Sequence, residues 1–300
     1  MKSKFYSGEI AIQMRAGVRN TADRVAGIIH PTIPLVAQDF LGSQRMVVLA
    51  TLDKYSCVWA SILTGKPGFI QALDEHVVKI SAEPIPGDPL RGNLEMRDEI
   101  GILAIEFASR RRMKVKGKSQ MKGDGIYIYA ERVYALCPKY IQAREVVASV
   151  DEPKVSYDVR CNNSLTQAQQ NWIARADTFF IASFHPETRA DASHRGGFPG
   201  FVRVLSENRL VFPDYSGNKM FNTLGNIFAN PNAGLIFIDF DGGNTLQITG
   251  QAQVIWNEDC VSEFAGAERI VEFQIEQLIE IPGAIPLGWR FIEYSPFNPG

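Results

Sequence analysis

The chain repeats itself. Residues 60–73 (ASILTGKPGFIQAL) lie without a gap over residues 192–205 (ASHRGGFPGFVRVL) at a shift of 132, with seven identities in fourteen positions. The match runs back through VVLAT (47–51) over FFIAS (179–183). At a shift of 133 it sets GILAIEF (101–107) over GLIFIDF (234–240) and Gly117 over Gly250. A period this long is no solenoid unit; it marks a duplicated domain, and the single residue of slippage marks a loop insertion. The polar stretch from Asp151 to Asn163 is the natural boundary, giving copies at 1–150 and 151–300.

Each copy reads as a short helix ending at Leu41 or Ile173, strands near 46–52, 58–63, 68–73 and 77–81, a middle helix, and strands near 100–107 and 112–120, with counterparts in the second copy. Short alternating strands punctuated by Gly and Pro favour a mainly β architecture, a closed antiparallel barrel or a sandwich. The opening segment from Glu9 to Ile29 has apolar positions at Ile10, Met14, Val18, Val25 and Ile28, which predicts a helix packed on the first copy. The strand at 268–281 alternates, with Glu272, Gln274 and Glu276 on a solvated face.

A net charge of −2 gives no electrostatic reason to expect nucleic acid or an anionic membrane surface as partner. No segment has the length and apolarity to span a bilayer. The four cysteines are scattered, with no CxxC pair, and neither they nor His30, His76, His185 and His194 show metal-ligand spacing, so a reducing cytoplasm is the default. No G-x-G-x-x-G follows a strand and no P-loop motif occurs, which removes the main support for the dinucleotide folds.

The copies differ where chemistry would matter. On the strand FVRVL, period-two alternation puts Arg203 with Phe201 and Leu205, among apolar neighbours that demand an anion. After SGN, the segment KMFNTLGNIFANP reads as a helix with Met220, Phe221, Leu224 and Phe228 on one stripe and Lys219 in its first turn, where only an anion would relieve a positive charge. The first copy has Gln71 in place of Arg203, and PIPGDP (84–89) in place of the lysine turn. One anion site per chain follows, built mainly by the second copy.

From Arg203 to Pro231 the chain runs through a strand, a polar turn with lysine and a helix, and Asn230-Pro231 then leads into GLIFIDF. This resembles the pyridoxamine 5′-phosphate oxidase-like FMN-binding split-barrel family. The resemblance implies two tandem split barrels forming a pseudo-dimer within one chain, with FMN between them; a further homodimer of chains is compatible with it. Carried over, Arg203 and Lys219 bind the phosphate, Ser216 and Asn218 add polar contacts, Val204, Pro213 and Asp214 border the ring system, and Thr245 reaches the flavin. Lys139 and Tyr140 of CPKYI (137–141) are the first copy's contribution, and His194 and Arg195 of the SHRGG insertion face ring or substrate. The family's second basic residue after the strand arginine is replaced by Ser206-Glu207, the arginine beside the turn lysine by Asn218, and the substrate motif is missing from WRFIEYSPFNPG. The implied function is an FMN-dependent oxidoreductase that is not the oxidase itself. It would act on a small molecule or take electrons from a nicotinamide cofactor; the alternative is a non-catalytic flavin- or haem-binding protein.

Each residue has a plainer reading. Arg203 could be paired internally, with Asp214 or Asp239; a lone lysine is usually solvated; a loop histidine is usually a surface group. The three arginines at 110–112 read as a hairpin turn and solvated strand start, or as groups reaching the other copy's phosphate. On the two-cation reading, Arg203→Gln should cost FMN several kcal/mol of binding. The turn-rich end SPFNPG reads as a linker to a further module.

Overall fold

The computed structural model describes residues 3–149 and 158–300, so Asp151–Tyr157 of the expected boundary lie outside the described residues. The first half contributes β1 (Met46–Leu52), β2 (Val58–Thr64), β3 (Ile70–Ala72), β4 (Val77–Ile80), β5 (Glu99–Glu106), β6 (Arg111–Lys122) and β7 (Gly125–Leu136). β8 (Ala143–Ser149) and β9 (Arg160–Asn162) follow. The second half contributes β10 (Thr178–His185), β11 (Arg189–Gly196), β12 (Arg203–Ser206), β13 (Arg209–Tyr215), β14 (Asn232–Ile238), β15 (Thr245–Ile255) and β16 (Ala267–Ile281), and β17 (Leu287–Glu293) comes last. Helices α1 (Ser7–Arg15), α2 (Arg19–Val25), α3 (Leu35–Gly42) and α4 (Leu90–Met96) belong to the first half, and α5 (Gln167–Arg175), α6 (Asn222–Ala229) and α7 (Glu258–Ser262) to the second.

The two sheets have one topology. The first runs β2-β1-β5-β6-β7-β4-β3 and the second β11-β10-β14-β15-β16-β13-β12, with β9 added beside β16. Neither path closes on itself, so each is a split barrel and not the closed barrel that strand patterning alone suggested. All seven strands of the first sheet place side chains in one core that includes Val47, Leu49, Ile70, Val78, Ile102, Val115 and Ile128. The alternate residues Val48 and Ala50 face a second core shared with Phe180, Ala182 and Ile236 of the other half. Burial on both faces explains why residues 47–50 (VVLA) and 179–182 (FFIA) are continuously apolar.

The shared core is reciprocal. A Cβ on Gly101 of β5 would collide with the Ala190 carbonyl of β11, and a Cβ on Gly234 of β14 with the Val58 carbonyl of β2. These are the same contact seen from the two halves, as an isologous interface requires. The bulges repeat too: the register slips at Lys116/Gly117 in one half and at Thr249/Gly250 in the other.

The expectation for the opening segment is corrected here. The opening segment is two helices broken at Gly17, which has φ +68°, and α1 packs on the second copy rather than the first. Gly8 lies against the Gly225 carbonyl of α6, Gln13 Nε2 donates to the Met220 carbonyl at 3.0 Å, and Glu9 accepts from Asn222. Its buried face carries Gly8, Glu9, Ile12 and Gln13, while Met14 is exposed, because small and amide side chains suit a close helix crossing. The end of the chain also packs: Ser295 N donates to Gln142 Oε1 at 2.7 Å, and β17 pairs with β8. Among the described residues no helix is long and apolar enough to cross a membrane.

Candidate functional site

A cavity opens between the halves. The first half supplies Arg112 and Lys114 of β6 and the loop after β7 with Cys137, Lys139 and Tyr140. The second supplies the end of β11, the turn after β13, and the first residues of α6. Five cations line it (Arg112, Lys114, Lys139, Arg195, Lys219) against one carboxylate, Asp214.

The floor is a buried ion cluster. Lys114 Nζ donates to Asp191 Oδ2 at 2.7 Å and to Ser193 Oγ at 2.5 Å, and Lys116 Nζ lies 3.6 Å from Asp191 Oδ1 with no hydrogen-bond partner. Burial favours neutral forms, yet Lys114 and Lys116 outweigh it at Asp191 and hold its carboxyl down at about 2. Burial also pulls Lys114 down to about 8, against the opposing attraction of Asp191.

The walls carry orphaned donors. Arg112 donates to the Cys137 carbonyl at 2.9 Å and approaches His194 Nδ1 at 3.2 Å. A guanidinium only donates, so Nδ1 accepts and Nε2 carries the proton. Burial, then Arg112, Arg195 and Arg144, push the His194 titration well below the usual histidine range, so the ring is neutral at pH 7. His194 Nε2 and Arg195 Nε are buried without partners. Tyr140, at φ +65°, donates its hydroxyl to the Ser216 carbonyl at 2.9 Å and so ties the first half's loop across the second half's turn.

Of the twelve residues singled out from the sequence, eight meet here: Lys139, Tyr140, His194, Arg195, Pro213, Asp214, Asn218 and Lys219. Ser216 stands beside them, its Oγ accepting from Lys219 Nζ at 2.8 Å. Arg203, Val204 and Thr245 are not among the lining residues. Arg203 pairs with Glu263 at 2.8 Å, lies 3.9 Å from the Phe264 ring centroid, and its side chain is 41% exposed. The alternation argument failed because Phe201 and Val202 precede the strand in a bend, and β12 is an edge strand that begins at Arg203 itself. The internal pairing weighed for Arg203 is therefore the observed one, with Glu263 in place of Asp214 or Asp239. Thr245 is buried in β15, opposite Ile238 and Ile281.

Lys219 keeps its place for a different reason. It precedes α6 by a full turn and takes φ +62°, as Phe221 takes +59°, so these residues lead into the helix and are not its first turn. Glu268 meets Lys219 Nζ at 2.7 Å and also Arg269, which holds Asp214 at 2.9 Å. Of the arginine triplet, Arg112 reaches the cavity, Arg111 pairs with Glu106, and Arg110 pairs with Glu293. Sequence reading missed Lys114, Lys116 and Asp191. MKVKGK reads as a solvated strand face, and the one signal was a lone acid between Ala190 and Ala192.

Residues 165–282 match the family model described as pyridoxamine 5′-phosphate oxidase. That match lies wholly within the second split barrel. Among solved structures, the chain is similar to a putative pyridoxamine 5′-phosphate oxidase from Lactobacillus delbrueckii (17% identity, 39% of this chain and 94% of that one, TM-score 0.32). It is also similar to HupZ from Group A Streptococcus (10%, 41% and 100%, TM-score 0.34) and to an FMN-binding protein from Syntrophomonas wolfei (7%, 37% and 82%, TM-score 0.28). No curated protein matches the chain.

Proposed function

We propose that the chain is an FMN-dependent oxidoreductase with one flavin site, in the cavity between a degenerate copy at 1–150 and a cofactor-carrying copy at 151–300. The observation that carries this reading is a cationic cavity whose wall holds two buried donors without partners, His194 Nε2 and Arg195 Nε. Buried donors are rarely left unpaired, so these fit a ligand rich in acceptors. The cavity is partly open, with a volume of about 120 Å³, room for a phosphate or a ring edge, and the rest of an FMN would extend into the open mouth.

Lys219, Arg195 and Asn218 would hold the phosphate, a set that leaves out Arg203. Tyr140 and Lys139 would cover the ring from the first half, and His194 Nε2–H would donate to a ring acceptor while staying neutral. Bound flavin supplies hydride or electron transfer; the protein supplies anchoring, orientation and hydrogen bonds. A nicotinamide cofactor as electron donor, a small-molecule substrate and a reducing cytoplasm complete the proposal.

The purified protein is expected to be yellow, or to quench FMN fluorescence on addition, and to be reduced rapidly by reduced nicotinamide under anaerobic conditions. Flavin that binds but is reduced slowly would favour the non-catalytic binder, a haem absorption band would favour a haem protein, and a colourless protein that leaves FMN fluorescence unchanged would overturn the reading.

A further inference from the structure

The first half contains its own copy of the floor, and there a carboxylate occupies it. Asp88 accepts from Ser61 Oγ at 2.6 Å, from the Leu90 backbone N–H at 2.8 Å and from Gln247 Nε2 at 3.1 Å. The repeat carries these three donors onto Ser193, Thr223 and Lys114, and all three line the cavity between the halves. At the shift of 133 Asp88 falls on Phe221, which lines that cavity but brings no carboxylate to it.

Charge points the same way. In the first half, the carboxylate of Asp88 faces the neutral Gln247. At the floor of the cavity, Lys114 and Lys116 of the first half share one carboxylate, Asp191 of the second, which also accepts from Ser193. Ser193 is saturated: it accepts from Lys114 and Thr223 and donates to Asp191. Lys114 is not, for an ammonium has three N–H donors and only two are used. In the lining of the same cavity, the buried His194 Nε2 is also without a partner.

We infer that Lys114, with the Thr223 backbone at the start of α6, forms an anion subsite where a ligand places a phosphate or carboxylate oxygen, in the position that Asp88 takes in the first half. The anion could be the cofactor's own phosphate or an acidic group of the substrate. This deepens the flavin reading by assigning one anchoring point, but the subsite itself rests on the repeat. The charged and titratable groups around Lys114 are Asp191, Lys116 and Arg195, with Arg132, Glu9 and Tyr134 beyond Lys116.

The test follows the Lys114 ammonium by NMR in protein labelled at lysine Nζ and Cε, assigned with Lys114→Arg, in the absence and presence of inorganic phosphate, acetate or FMN. An opposite charge at contact should raise its titration point by about one pH unit or more. Affinity for that anion should then fall as pH rises through 8, by up to about tenfold per unit, in the parent but not in Lys114→Arg. A response to FMN assigns the subsite to the cofactor; a response to phosphate or acetate alone assigns it to the substrate. Were anions to move Lys114 while FMN never bound, the subsite would stand and the flavin reading would fall. If none of the three probes moves Lys114, the inference is overturned, whatever FMN quenching shows.

Discussion

The two halves agree in scaffold and disagree in charge. Asn93 of α4 donates to Thr51 of β1, and Asn226 of α6 donates to Ser183 of β10, each at 3.0 Å. Gly101 and Gly234 make reciprocal backbone contacts across the shared core. Yet the same strand position is Gln247 in one half and Lys114 in the other, and Asp88 fills one floor while a cavity opens on the other. The residues of the shared interface correspond in the two halves, and the charges at the two floors do not. A homodimer of identical barrels cannot do this, since a change in one site appears in both.

The comparison can be broken at several points. The largest effect is expected from Asp191→Asn, which strips Lys114 and Lys116 of their counter-ion and should cost about 3–5 kcal/mol of stability, read from urea unfolding. A loss below about 1 kcal/mol would mean that the lysines are already neutral. Next come Gly101→Ala and Gly234→Ala, expected to destabilise by about 1–3 kcal/mol each. Similar losses support the reciprocal interface, and a large loss in only one would refute it.

The phosphate assignment is sharpened by a pair of substitutions measured with FMN. Lys219→Gln should weaken binding about tenfold, the scale of a charge-assisted hydrogen bond. Arg203→Gln should change it by about twofold or less, since its pair with Glu263 is exposed. The reverse ranking would restore Arg203 to the site. The smallest effect concerns Asp88, whose carboxyl is pushed up to about 6, by burial above all. A raised acid favours the protonated fold, so its contribution is present below about pH 4 and lost as pH rises through 6. Relative to Asp88→Asn, the parent should therefore lose thermal stability between pH 4 and 6.5 and then level off; a constant difference would place Asp88 in an ordinary solvated setting.

What the sequence revealed was whatever the repeat or local pattern encodes. The shift of 132 anticipated two sheets of one strand order, and the turn holding Asn218 and Lys219 does border the cavity. Three things stayed hidden for identifiable reasons. Arg203 was misplaced because alternation assumes a strand already begun, and an edge strand that starts at the arginine leaves it free to lean outward onto Phe264. Lys114 and Lys116 were overlooked because burial between barrels and exposure to solvent give the same alternating pattern on one strand; only Asp191, from a strand of the other half, tells them apart. The α1 contact was missed because Gly8 and Gln13 are not apolar, and close helix crossing selects for smallness rather than hydrophobicity.

That crossing has a temporal meaning. The amide of Gln13 and the carbonyl it grips at Met220 are 207 positions apart, so during synthesis the clamp exists long before the turn it will hold. The lysine turn and the start of α6 can settle only after most of the polypeptide has emerged and α1 has come back to meet them. Loading of any ligand is thereby made a late event in the life of the newborn chain, and trimming its first helix should be felt at the cavity before it is felt in the barrel next to it in sequence.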